Sequence, residues 1–172
     1  MNTRLKLWLV GCTLGLMVWA NHDAMAVRLG LGANYWQAVD SIDEDEFDED
    51  GLSYIASLQF NLAEYSKIEL GVEWYEAGFG GSAKDIYAPQ AFFLLGKGLY
   101  VGAGVGGYYT DGDFANDPFF AFRAGFDVEI LPSIYLDINA NYRFENWDDL
   151  SADDTDVDSD TITLGAAVRL EF

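Results

Sequence analysis

From residue 27 onward the side chains alternate in character with a period of two, and the alternation recurs in segment after segment. Successive side chains of an extended strand point to opposite faces, so this period describes strands whose two faces meet different surroundings. In the first segment Val27, Leu29, Leu31, Ala33 and Tyr35 share one face, and Arg28, Gly30, Gly32 and Asn34 share the other. Tyr54 to Leu62 repeat the pattern, as do Ile68 to Trp74, Leu99 to Tyr109, Phe120 to Ile130, Ile134 to Phe144 and Ile162 to Phe172. The segment around residues 86–95 is less regular, because Ala88, Phe92 and Leu94 are as apolar as Tyr87, Ala91, Phe93 and Leu95. It also contains Pro89, which cannot donate to a ladder and is expected near a strand end or a bulge. Counted as a strand, it brings the total to eight.

The connections alternate too. Residues 39–51, 77–85, 111–118 and 147–160 are long, whereas 63–66, 96–98 and 131–133 are tight. In an up-and-down meander every second connection lies at the same end, so four long loops share one end, and three turns and both termini share the other. The expected fold is all-β: an eight-stranded antiparallel up-and-down barrel. Ten to twelve residues per strand at about 3.3 Å, tilted by about 40°, span roughly 25–30 Å, the height of an apolar transmembrane band.

A soluble ligand-binding barrel and a membrane barrel of this strand count differ in which face points outward. An eight-stranded interior is only wide enough for side chains to fill it, and the small residues Gly30, Gly32, Gly71, Gly102, Gly104, Gly106, Gly125 and Gly165 all lie on the polar face. The bulky face carries Tyr35, Tyr54, Trp74, Tyr87, Tyr109, Tyr142 and Phe172 near the segment ends, where a membrane barrel places its aromatic girdles. The expectation is therefore a transmembrane barrel with its polar face inside.

The first 26 residues do not share the pattern. Arg4 and Lys6 precede an apolar run from Leu7 to Ala20, and Ala24-Met25-Ala26 has the small-x-small form of a signal peptidase site. A run of fourteen residues rises only about 21 Å as a helix, short of a hydrocarbon core of about 30 Å. Residues 1–26 therefore read as a cleaved signal peptide, and 27–172 as the barrel domain. Leu9-Val10-Gly11-Cys12 resembles a lipidation box, but it sits in the middle of the apolar run instead of at its end. Cleavage after Ala26 would remove Cys12 and His22, the sole cysteine and the sole histidine. Ser-His-Asp, Cys-His and zinc-histidine chemistry are then closed to the remainder, and neither an enzyme nor a cofactor nor a metal centre is expected. The chain carries nine Lys and Arg against twenty-nine Asp and Glu, a net charge of −20, which excludes nucleic acid as a partner.

The C-terminal stretch Leu164 to Phe172, in which Val168, Leu170 and the terminal Phe172 alternate with polar or small residues, resembles the signal that outer-membrane assembly machinery reads on its clients. The chain from residue 27 is similar as a whole to small OmpA/OmpX-type barrels, the "porin family" of outer-membrane β-barrel proteins. The resemblance implies passage through the periplasm with chaperones, insertion by the β-barrel assembly machinery, and residence among the lipids of a Gram-negative outer membrane. The peptidoglycan-binding domain that follows the barrel in full OmpA-type proteins has no counterpart in this sequence, so no cell-wall tether is inferred.

Charges on the inward face need partners. Arg28, Arg123, Arg143 and Arg169 share it with Glu69, Glu73, Asp127, Asp137, Glu145 and Glu171. Counted from the tight-turn end, Asp137 and Arg169 fall at similar depth on neighbouring strands, as do Arg28 and Glu171 across the closure. The expected interior is a plug of paired charges, giving a structural or surface-interaction protein. The alternative is a narrow channel for small or apolar solutes, similar to OmpW-type barrels, with Phe92 and Leu94 turned inward beside Tyr75, Tyr100 and Tyr108. Fifteen of the twenty-eight acids beyond residue 26 sit in the first and last long loops. These loops are expected to be solvated, with weak divalent-cation binding as a further reading. Glu46, Asp48, Asp50 and Gly51 begin like an EF-hand loop, but Ser57 stands where its bidentate glutamate belongs.

Overall fold

The structure, a computed structural model, describes residues 26–38, 50–79, 82–115, 118–144 and 160–172. Residues 1–25 of the expected signal peptide, the bodies of the two acidic loops and Glu145 lie outside the described residues. Eight long strands form the wall: β1 (Val27–Ala38), β2 (Asp50–Ala63), β3 (Ser66–Tyr75), β4 (Ile86–Lys97), β5 (Leu99–Gly106), β8 (Phe119–Leu131), β9 (Ile134–Phe144) and β10 (Thr161–Glu171). Between β5 and β8 the chain makes a small extra hairpin, β6 (Tyr109–Thr110) and β7 (Asp113–Phe114), which the alternation does not announce. Asp111 (φ 54) and Gly112 (φ 93) close it, an Asp-Gly turn whose left-handed backbone suits this residue pair.

Each long strand pairs antiparallel with its neighbours, and the β3–β4 and β1–β10 ladders close the sheet into a ring. Following the register from Arg28 through Gln59, Glu69, Phe92, Gly104, Ala121, Arg143 and Thr161 leads back to Ala38, ten residues further along β1. A stagger of that size in an eight-stranded ring tilts the strands by about 40° and leaves an interior that side chains can fill. A ring has no edge, so its backbone donors and acceptors meet within the wall.

The faces sort as the alternation requires. Leu31, Leu52, Leu58, Leu70, Val101, Phe122, Phe126 and Leu164 stand exposed on the outside, Leu31 by 62% and Leu164 by 59%. Outward positions of the wall carry no charge between Asp50 at the loop end of β2 and Lys97 at the turn end of β4. A continuous exposed apolar surface of this extent far exceeds the patches that soluble monomers tolerate. Tyr35, Tyr54, Tyr87 and Tyr109 ring its loop end, and Tyr54 stacks on Trp74 at 5.6 Å.

The weak fourth segment has a definite orientation. Ile86, Ala88, Gln90, Phe92 and Leu94 point inward, whereas Tyr87, Phe93 and Leu95 point outward. The neighbouring glycines decide this. Phe92 pairs with Gly104 and Leu94 with Gly102, and a Cβ on either glycine would come within 2.5 Å of its partner's side chain. Pro89 sits where the β4–β5 ladder stops: its carbonyl accepts from the Gly107 amide at 3.1 Å, and regular pairing begins only at Gln90 and Gly106. The amide that proline lacks would have faced this interruption.

Candidate functional site: the barrel interior

The inward side chains form tiers along the barrel axis. Nearest the turn end, Arg28 Nε donates to Glu171 at 2.6 Å, and its Nη1 reaches Asp127. Lys67 Nζ adds a second cation to Asp127 at 2.9 Å, and the Arg28 guanidinium lies 3.6 Å above the Tyr135 ring. Arg28 and Glu171 are direct register partners on β1 and β10, so the wall itself holds this pair together.

In the middle tier Glu69 takes Arg123 at 2.7 Å on one oxygen and Arg169 at 2.9 Å on the other, with Gln59 adding a third donor at 3.2 Å. Asp137 lies 3.6 Å from Arg169, and it accepts from Tyr100 at 2.7 Å and from Asn139 at 2.6 Å. Arg123 also donates to Asn141, and its guanidinium stacks 3.8 Å over Phe92. Glu69, Arg123 and Arg169 come from β3, β8 and β10, so this tier ties opposite walls together across the lumen.

At the loop end Arg143 meets Glu73, Tyr75 and Gln90, while Glu73 also accepts from Asn34 at 2.6 Å and from Ser53. Above it the mouth is bridged by aromatic rings. Trp36 lies 4.8 Å from Phe79, Phe79 lies 4.0 Å from Tyr75 and 5.7 Å from Tyr108, and Tyr108 lies 4.9 Å from Phe119. The expectation that bulky aromatics lie only on the outer face is corrected here for Trp36 and Phe119, whereas Phe92 and Leu94 turn inward into one cluster with Tyr75, Tyr100 and Tyr108, as the channel alternative has them. Trp36, Tyr75, Phe92, Leu94, Tyr100 and Phe119 are buried within the ring: Leu94, Phe92 and Phe119 press on Gly102, Gly104 and Gly106 of β5, Trp36 on Gly51 of β2 and Tyr100 on Gly125 of β8.

Among the described residues ten interior charges meet in this network: Arg28, Lys67, Arg123, Arg143 and Arg169 against Glu69, Glu73, Asp127, Asp137 and Glu171. They sum to zero. Charges removed from water are tolerated only when paired and hydrogen-bonded, and each carboxylate here has a cation within reach. The only other cations beyond residue 26, Lys84 and Lys97, pair at the rims with Asp111 at 2.5 Å and Glu64 at 3.2 Å. Most of the chain's remaining acids fall in the sequence at residues 39–50 and 145–160. Because β1 and β10 pair up to Ala38 and Thr161, these two connections leave neighbouring strand ends. At their bases Asp50 accepts from Tyr35 at 2.7 Å and Asp160 from Tyr142.

Sequence reasoning misses Lys67, Gln59, Gln90, the Asn139–Asn141–Thr163 chain and the bond from Tyr100 to Asp137. The signal available for Lys67 is its place two residues before Glu69, on the same face of β3. Val168, Leu170 and Phe172 lie on the outer face beside the β1 seam, and Phe172 is 78% exposed with its amide donated to Val27 at 2.9 Å.

A closed ring with a charge-free apolar exterior and an internally neutralised polar interior is the architecture of a transmembrane barrel. No protein-family model matches the chain, and no curated protein matches it. Solved structures do. The N-terminal β-barrel domain of Pseudomonas aeruginosa OprF superposes with a TM-score of 0.57 at 12% identity, over 86% of this chain and 97% of that one. Neisserial surface protein A gives 0.54 at 13% identity, over 86% and 97%. The P. aeruginosa outer membrane protein OprG gives 0.51 at 16% identity, over 87% and 98%. At such identities the likeness is one of fold: this chain has the fold of the small eight-stranded outer-membrane β-barrels.

Proposed function

We propose that the protein is an integral barrel of a Gram-negative outer membrane with a structural or surface-interaction role, its lumen plugged by paired charges and its acidic loops facing outward. The carrying observation is the exterior: the outward positions of the wall present apolar side chains over a height of about 25 Å, with charge appearing only at the strand ends. In this reading residues 1–26 are removed on secretion. Periplasmic chaperones and the assembly machinery then handle the chain, the latter through Val168, Leu170 and Phe172. The loops are solvated, weak divalent-cation binding being a further reading of their charge, and catalysis is not part of the role.

A depth series tests membrane residence. An arginine on the lipid face costs about 2–4 kcal/mol at the bilayer midplane and about 0–1 kcal/mol near an interface. Ala124→Arg should therefore lower folding stability in vesicles strongly, and Leu131→Arg only slightly. Equal effects, or wild-type protein that stays out of floated vesicles, would refute the assignment. The plug is tested in planar bilayers, where the intact protein should give no large, stable openings.

A second reading has its own observation. Ile86, Ala88, Phe92 and Leu94 line one flank of the interior with apolar side chains, which suits a narrow passage for small apolar solutes. Liposome swelling with graded solutes separates the two, since a plugged barrel leaves permeability at the level of empty liposomes.

A further inference from the structure

The loop-end mouth of the lumen is filled by a ring that no strand carries. Trp36, Tyr75 and Phe119 belong to β1, β3 and β8, and Tyr108 joins β5 to β6. Phe79 comes from the connection between β3 and β4 and is buried among them, crossing the Trp36 ring at 86° and lying at 31° to the Tyr75 ring. Gly78, at φ 117, makes the reversal that precedes it, a backbone state glycine adopts without strain. The Gly78 amide donates to the Ser82 carbonyl at 2.8 Å, and the Ser82 amide to the Phe79 carbonyl at 3.1 Å. Among the described residues this turn is bonded to itself, and the phenyl ring is what it inserts into the barrel. The Arg143 guanidinium lies 4.9 Å from the centre of the Phe119 ring and 5.6 Å from that of Tyr75. Its two Nη groups are taken by Tyr75, Glu73 and Gln90, but its Nε is buried without a hydrogen-bond partner among the described residues. Such orphaned donors are rare in folded proteins, because burial costs the bond to water and returns nothing.

We propose that this mouth binds a small uncharged aromatic molecule bearing an acceptor oxygen, its ring taking the seat of Phe79 and its oxygen accepting from Arg143 Nε. The inference goes beyond the structural role above and requires no conduction, since the charge tiers below the mouth stay closed. Ring walls with one convergent polar group are the usual make-up of a small-molecule site. The chain's own phenyl shows what the seat accepts: a flat apolar group held by edge and face contacts with Trp36, Tyr75 and Tyr108. The free donor selects among such groups for one that carries an acceptor. Charge is excluded because Arg143 is already neutralised by Glu73, so an ionised ligand would bring a buried charge without a counter-ion. Phe79 is then a tethered competitor, which the ligand must displace.

The test titrates the protein in lipid nanodiscs with acetophenone and with ethylbenzene, probes of nearly one shape that differ in the carbonyl. Methyl resonances report the place: Ala88 and Ala121 are buried in the same cluster as Phe79, whereas Ala124 and Ala140 face the lipid. Acetophenone should shift Ala88 and Ala121 saturably and bind about 2–10-fold tighter than ethylbenzene, the share of one hydrogen bond. A conformer with the ring withdrawn, populated at about 1–10%, lowers apparent affinity by that fraction, so Phe79→Ala should tighten binding about 10–100-fold. Shifts confined to Ala124 and Ala140, equal affinity for the two probes, or an unchanged affinity in Phe79→Ala would each overturn the proposal. If that variant does not fold, the wild-type chain decides. Saturating acetophenone should abolish the proton cross-peaks between the Phe79 and Trp36 rings, and their persistence would overturn it. Failure of the membrane reading shows separately, as protein that does not enter nanodiscs.

Discussion

Two flanks of the same lumen are filled by opposite means. Along β8, β9, β10, β1 and β3 the interior carries long charged side chains, several with partners from across the ring, as Glu69 shows by taking Arg123 and Arg169 together, and β2 adds the polar Ser53, Ser57 and Gln59. Along β4 and β5 it is dominated by Phe92 and Leu94 pressed against Gly104 and Gly102, and Gln90 and Tyr100 join the polar network, through Glu73 and Arg143 and through Asp137. The first flank is held by directional bonds between distant strands, the second by shape between adjacent ones. An eight-stranded ring is narrow enough for either solution to exclude water. The two differ in what a single substitution does: losing one charge strands its partner, whereas losing one contact leaves a gap or a clash.

The largest effect is expected from the ionic flank. Arg143→Ala would leave Glu73 buried at the loop end without its cation, and breaking a buried pair from one side costs about 3–5 kcal/mol. The denaturation midpoint in vesicles should fall accordingly. Replacing both partners, Arg143→Met with Glu73→Leu, should restore most of the loss; if the double variant is no better than the single one, the loss does not come from a stranded charge.

The apolar flank should respond to volume. Gly104→Leu forces side-chain atoms into the space of the Phe92 ring, whose Cδ1 already lies 2.5 Å from where a Cβ would be, and overpacking of this kind costs about 1–3 kcal/mol. Phe92→Ala in the same chain should recover stability, measured as a double-mutant cycle. Additive losses would mean that the two residues do not compete for the same volume.

The smallest effect belongs to the rims. Lys97→Ala breaks the exposed pair with Glu64, and such surface pairs contribute only about 0–1 kcal/mol. A melting curve close to wild type is expected, and a shift as large as that of Arg143→Ala would erase the distinction between interior and rim pairs.

The parts of this architecture that can be read without coordinates are those governed by neighbours in the chain. Leu29, Leu31 and Tyr35 face away from Arg28 and Gly32 because adjacent side chains of a strand must point oppositely. Arg28 and Glu171 can be matched because β1 and β10 start and end at the same rim. The β6–β7 hairpin is too short to show a period. The orientation of β4 is not legible in β4 itself, where both faces are apolar; it is carried by the glycines of β5, one strand away.

The sequence by itself determined the ring: eight alternating segments, long and short connections in turn, and an apolar side that no aqueous core of this size could absorb. Only the tertiary structure decided the contents of the ring. The ten-residue stagger sets which side chains come level across the lumen, so Glu69 finds Arg123 and Arg169, Arg143 finds Glu73, and Phe92 finds the space above Gly104. Alternation is a local consequence of backbone geometry, whereas partnership across a closed barrel depends on how far the sheet has slipped by the time it meets itself.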